Sequence, residues 1–256
     1  MLKYSEYEKK PNQMKKNSWF GPPLSRREAL TLMGAAGAGL LVGEWPNKAW
    51  PVPSTLRSPC IVRPEQTEGP YFVDERLHRS DIRTDSANGQ VTPGALLALT
   101  FQVMRFHAGQ CRPIPDAQVD VWHCDAMGVY SDVQDPGFKT LGLKFLRGYQ
   151  ITDAEGSARF LTIYPGWYPI RTVHIHFKIR TASVAGRNFE FTSQLYFPDE
   201  LTDRVHTDLP YSSKGQRRVR NQHDFIFRDG GNQLMLIPST TNGGYAATFP
   251  IGLELP

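Results

Sequence analysis

Runs of four to nine residues in which apolar and polar side chains alternate, broken by turn signals, decide what this chain can become. They are LLALTFQVM (96–104), AQVDVWHC (117–124), SARFLTIY (157–164), VHIHFKIR (173–180), FEFTSQLYF (189–197), FIFR (225–228) and NQLMLIP (232–238). Successive side chains of a strand point to opposite faces, so a period of two marks strands with one face buried. DAEG, PG and DGGN lie between the runs and supply the backbone freedom that tight turns need. No long segment has helical period and no internal repeat is visible. Short strands at this spacing predict an all-β fold, a β-sandwich. With 256 residues, 40% of them hydrophobic, the chain can bury one substantial core.

The N-terminal arm has a different character. Of 29 Lys/Arg and 25 Asp/Glu, 8 and 4 fall in residues 1–50, which leaves 21 of each in residues 51–256. The net charge of +4 therefore belongs to the arm, and the remainder offers no electrostatic basis for nucleic-acid binding. Within the arm, Arg26 and Arg27 precede a weakly apolar stretch from Ala29 to Gly43, behind Lys9, Lys10, Lys15 and Lys16. This is the layout of a twin-arginine export signal, and the stretch is shorter than the ~18 residues that span a bilayer. The expected organisation is a signal arm at 1–50, a Pro-rich linker at 51–59 and a folded domain at 60–256. Such a protein is periplasmic or extracellular and meets membrane only through its signal. Cys60, Cys111 and Cys124 allow one disulfide there, but their spacing leaves the pairing open and fits no zinc knuckle.

The candidate chemistry is concentrated in YPGWYPIRTVHIHF (164–177). His174 and His176, at i and i+2 of a strand, project from one face with Ile175 buried behind them. The pair could bind a metal or simply line a polar sheet face. Tyr168 and Tyr130 lie in loops rather than in periodic apolar runs, where a core tyrosine would be expected. Phenolate is a hard anionic donor, so two phenols and two imidazoles suit Fe(III) over Fe(II). Zinc would be expected with Cys, His or carboxylate, and O₂-activating Fe(II) with two His and a carboxylate that this pair lacks.

GVYSD, YPGWYP, RTVHIHF and TSQLYF occur in the order and surroundings found in the intradiol ring-cleavage dioxygenases, the family of protocatechuate 3,4-dioxygenase and catechol 1,2-dioxygenase. The stretch from Cys60 to Arg228 resembles that family, and TEGPYF and FPDELTD resemble its secreted bacterial members. The resemblance implies a β-sandwich with short connecting helices and long loops. It implies a mononuclear non-haem Fe(3+) held by Tyr130, Tyr168, His174 and His176, with solvent hydroxide in a fifth position. Arg171 is similar to the family's active-site arginine, which stabilises charge on the substrate ring and helps bind it. Gln194 resembles the glutamine behind the metal, and Tyr71 falls where the family lines its substrate pocket. Tyr130 is then the phenol expected to yield its place to substrate and take a proton. The implied partners are a small aromatic diol and O₂. Both oxygen atoms enter the product, a cis,cis-muconate-type diacid cut between the two hydroxylated carbons.

The chain also departs from the pattern. Only Pro169 and Ile170 separate Tyr168 from Arg171, Thr172 stands where Pro is usual, and no N-terminal helical dimerisation domain is present. The preferred ring substituents therefore do not carry over, and the oligomeric state, a homo-oligomer among the alternatives, stays open. His123 and Asp125 read as structural or supporting hydrogen-bonders, and KGQRRVRNQHD (214–224) as a solvated basic loop. The rival readings are a non-catalytic β-sandwich binding module and a different metalloenzyme.

Overall fold

A computed structural model of the protein describes residues 60–184 and 187–255. The expected signal arm at 1–50 and linker at 51–59 lie outside the described residues. The strands are β1 (Leu96–His107), β2 (Gln110–Pro113), β3 (Gln118–Trp122), β4 (Gln134–Asp135), β5 (Phe138–Lys139), β6 (Arg147–Ile151), β7 (Ser157–Ile163), β8 (His174–Val184), β9 (Arg187–Tyr196), β10 (Ser239–Thr241) and β11 (Gly244–Glu254). A single described α-helix, α1 (Asp199–Val205), and three 3-10 turns connect them. One sheet has the order β10-β11-β1-β2, with β7 also paired to β1; the second has the order β6-β3-β8-β9, and β4 and β5 form a separate two-stranded ribbon. This is the expected all-β sandwich.

Alternation builds the core. Leu97, Leu99, Phe101 and Val103 of β1 turn one way and are buried, as are Ile175, Phe177 and Ile179 of β8. The ring of Phe101 meets that of Phe177 at 5.1 Å, and Phe249 of β11 meets Phe177 at 5.8 Å, so these aromatics join the two sheets. Truncating one of them to Ala should cost about 3–5 kcal/mol. The same alternation sends His174, His176 and Lys178 to the outer face of the second sheet. Register then aligns a row across it, with Trp122 of β3 opposite His176 and His176 opposite Gln194 of β9. Long loops cover this row, which is why its polar members are buried.

Two expected strands are absent. FIFR (225–228) is a turn because the Asp224 carboxylate accepts the N–H groups of Ile226 and Phe227 at 2.8 and 2.9 Å, a local alternative to a strand ladder. In NQLMLIP (232–238), residues Gly231–Leu234 form a 3-10 turn and only Met235 bridges to Tyr196. Conversely β11 carries Pro250 in its interior, which is tolerated because the β10 partner pairs only with residues 244–246 and the next contact on that edge is the single Val62–Gly252 bridge, so no ladder bond is asked of the Pro250 nitrogen. The disulfide joins Cys60 to Cys111, with Cα atoms 5.8 Å apart, and fastens the start of the domain to β2; Cys124 is a buried thiol.

Candidate metal centre

Each expected donor is delivered by a different constraint. Tyr130 follows β3 in a loop whose backbone is pinned on both sides. Asp125 accepts the N–H groups of Met127 and Val129 at 2.8 and 2.9 Å, Thr140 donates its hydroxyl to the Tyr130 carbonyl, and Arg147 donates to the Ser131 carbonyl at 2.6 Å. Tyr168 sits in the loop between β7 and β8. The two tyrosine loops are fastened together: Gly166 N–H donates to the Asp125 carbonyl at 3.1 Å, and Lys214 donates to the carbonyls of both Met127 and Trp167. Gly166 is required there, because a Cβ would lie 2.3 Å from the Ala126 carbonyl oxygen. His206 adds a bond to the Pro165 carbonyl at 3.0 Å.

The four side chains meet. The Tyr168 hydroxyl lies 3.2 Å from His174 Nε2, and the two Nε2 atoms of His174 and His176 lie 3.0 Å apart. The ring of Tyr130 is 5.7 Å from that of Tyr168 and 6.3 Å from that of His176. Its hydroxyl is buried and interacts with that of Tyr168. Trp122 stacks on His176 at 5.1 Å and fixes the ring plane.

This donor set fits a metal cation. His174 Nδ1 lies 2.7 Å from the Thr172 carbonyl, which can only accept, so Nδ1 carries the proton and Nε2 turns a bare lone pair inward. Burial, followed by the charge of Arg171, lowers the pKa of His174; burial, followed by His174, lowers that of His176. Both rings are thus held neutral, the form that binds metals. Burial raises the pKa of both phenols, while Arg171 works in the opposite direction at each. A buried phenolate needs a compensating positive charge, which a trivalent ion shared by two phenolates would supply. Among the described residues no group of three His, Cys, Asp or Glu is placed to hold a metal. Any ion bound here depends on the phenols.

Behind the donors, Arg171 donates Nε to Asp224 Oδ2 and Nη2 to Gln194 Oε1, each at 2.7 Å, and all three residues are buried. Burial opposes the guanidinium charge, but Tyr168 and Asp224 outweigh it and raise the Arg171 pKa. Gln194 donates Nε2 to the Thr67 carbonyl at 2.9 Å and also accepts from the Tyr196 hydroxyl at 3.1 Å. Tyr71 stacks on Tyr130 at 4.4 Å and donates to Asp135 at 2.8 Å; burial and Asp135 push its pKa up to about 12. Tyr71, Phe138 and Tyr168 line a cavity of about 510 Å³ beside the donors.

Sequence reasoning missed Asp224, Thr172, Gly69 and Lys214. The expectation of a solvated basic loop at 214–224 is corrected. Arg217 is bound to Asp199 and Asp203, Lys214 ties the tyrosine loops, and Asn221 and Asp224 are buried. The acids of DELTD (199–203), spaced to meet those cations, were the available signal. His123 is structural: Nδ1 lies 2.8 Å from the Cys124 carbonyl and Nε2 2.7 Å from the Thr162 hydroxyl.

Two phenols and two imidazoles converging on the outer face of a β-sandwich define the class. A dioxygenase family model matches residues 67–224, more than half the chain, and the protein belongs to the intradiol ring-cleavage dioxygenase family. It is 37% identical over 97 residues to the protocatechuate 3,4-dioxygenase beta chain of Burkholderia cepacia, a match covering 35% of this chain and 40% of that one. It is 28% identical over 163 residues to a chlorocatechol 1,2-dioxygenase of Pseudomonas putida, covering 56% and 55%. The matched region thus spans about half or less of these curated relatives. An intradiol ring-cleavage dioxygenase from Tetranychus urticae superimposes with a TM-score of 0.65 at 28% identity, over 76% of this chain and 95% of that one.

Proposed function

We propose that the protein is a mononuclear, non-haem Fe(III) enzyme that cleaves a catechol between its two hydroxylated carbons, with both atoms of O₂ entering a muconate-type diacid. The observation that carries this reading is the inward-facing lone pair of His174, 3.0 Å from His176 Nε2 and 3.2 Å from the Tyr168 hydroxyl. Tyr130, Tyr168, His174 and His176 would hold the iron. When bound there, a ferric ion supplies Lewis acidity that orients the catechol dianion and draws electron density from its ring, so that a ring carbon becomes the site of oxygen addition.

The protein's own residues do the rest. Tyr130, as a phenolate, would be the donor that exchanges places with substrate and takes up its second proton to become a neutral phenol. Arg171, fixed by Asp224 and Gln194, cannot follow the substrate, so its charge is already in place when negative charge develops on the ring. Tyr71 and Phe138 form apolar wall beside Tyr168 and keep water from the ring. The twin-arginine arm and the Cys60–Cys111 disulfide both support export from the cytoplasm.

Oxygen uptake with catechol, protocatechuate and hydroxyquinol, followed by mass spectrometry of the product from ¹⁸O₂, tests the reading. A diacid carrying both labelled atoms is expected. An extradiol semialdehyde, or binding without any oxygen consumption by iron-loaded protein, contradicts it, the second result favouring a binding module.

A further inference from the structure

The cavity of about 510 Å³ that Tyr168, one of the four donors, lines lies in the range that takes drug-sized ligands and is larger than a bare catechol ring requires. A second cavity of about 390 Å³, mostly apolar, lies along Trp167 and Val219. The two share one wall, the three residues Tyr168, Pro169 and Ile170. A molecule anchored at Tyr168 therefore has apolar space on both sides of that wall.

Ile170 is the unusual member. Its φ is +66°, in the left-handed region that β-branched residues avoid, and the residue is 73% exposed. The backbone is forced there by a short link: Tyr168 is held at the donor cluster, Arg171 by Asp224 and Gln194, and only Pro169 and Ile170 span the interval. Glycine would satisfy that φ without strain, and a polar side chain would suit the exposure. Isoleucine contributes neither; what it offers is apolar surface facing both cavities.

We infer that Ile170, with Trp167 and Val219, receives an apolar substituent carried on the catechol ring, so that the preferred substrates are alkyl- or aryl-catechols. The inference rests on the catechol-cleaving reading above. The charges on the cavity walls are mixed: Arg218 lines the smaller cavity and is the group that would hold a ring carboxylate. Asp135 lines the larger cavity and would repel a ring carboxylate, while Lys214 is engaged by the Met127 and Trp167 carbonyls and lies 4.5 Å from the centre of the Trp167 ring.

The test compares kcat/KM for 4-n-butylcatechol, catechol and protocatechuate, together with calorimetric binding of the same compounds. Partial burial of a butyl chain predicts about a tenfold advantage in kcat/KM for 4-n-butylcatechol over catechol, and a larger one over protocatechuate. In Ile170→Gly this advantage should fall about fivefold while the melting temperature holds or rises, because glycine relieves the positive φ. Val219→Ser should also reduce it. Equal kcat/KM for butylcatechol and catechol, preference for protocatechuate, or an unchanged advantage in Ile170→Gly overturns the inference while leaving ring cleavage intact. If none of the three yields an intradiol product, the functional reading itself fails; tighter calorimetric binding of butylcatechol than catechol then still supports the apolar site, and equal binding removes it.

Discussion

Arg171 and Asp224 form a buried ion pair in which Nε donates to Oδ2 at 2.7 Å, and the same oxygen accepts the Thr172 N–H at 2.7 Å. Thr172 in turn fixes the Nδ1 proton of His174 through its carbonyl. One carboxylate thus orients both the arginine expected at the substrate and one of the imidazoles expected at the metal. Asp224→Asn presents a single amide oxygen to donors on two sides, so one side meets an NH₂ group. We expect a stability loss of about 2–4 kcal/mol by denaturant titration, and a fall of at least tenfold in kcat of the folded, iron-loaded enzyme. A loss under about 1 kcal/mol with unchanged kcat contradicts the anchoring role.

Gly69 packs against the edge of His176 with φ +76°, and a Cβ there would lie 3.1 Å from the ring Cε1. Gly69→Ala combines an unfavourable left-handed backbone with a push on the imidazole. The expected outcome is about 1–2 kcal/mol lower stability and weaker retention of iron, read as metal content after dialysis against a chelator. Iron retention equal to wild type would show that the ring can give way.

The Cys60–Cys111 bridge closes a loop with a sequence separation of 51. On the loop-entropy account, Cys60→Ser with Cys111→Ser should cost roughly 3–4 kcal/mol. Neither cysteine belongs to the donor set, so the kcat of the folded enzyme should stay within about twofold, a change of under 1 kcal/mol in the barrier.

Burial lowers the pKa of His123 to about 4. A depressed pKa means that the unfolded chain binds the proton more readily, so stability from a neutral His123 is complete above its unfolded value near 6.5 and is lost as pH falls toward 4. The full effect is about 3 kcal/mol. Asp120, whose pKa burial raises to about 6, works in the opposite sense over much of the same window. The difference between wild type and His123→Gln therefore isolates the histidine: denaturant titrations between pH 4 and 7 should show a smaller acid-side loss in the variant. Parallel curves would contradict a buried neutral His123.

Much of this architecture is legible in the sequence because alternation is local. The runs at 96–104, 157–164, 173–180 and 189–197 became strands, and the His174/His176 pair was placed on one face by the same rule. The runs at 225–228 and 232–238 did not, because the Asp224 side chain competes for backbone N–H groups and no local pattern reveals it. β6 and β11 were missed, since RGYQI alternates weakly and Pro250 argues against a strand until an open edge is known. The donor residues carried a resemblance; their supports, Asp224, Lys214 and Gly69, act across 47 to 107 positions of sequence (176 − 69 for Gly69 and His176), and only tertiary structure joins them to the site.

The claim on which the account depends is that two tyrosinates and two histidines hold one ferric ion. Iron analysis with visible and resonance Raman spectroscopy of the purified protein and its Tyr168→Phe variant tests it most directly. The account predicts about one iron per wild-type chain, a wine-red tyrosinate-to-iron charge-transfer band that shifts on anaerobic addition of catechol, and loss or strong weakening of that band in the variant. A colourless wild-type protein that carries iron, or a variant whose band and turnover match wild type, would contradict it.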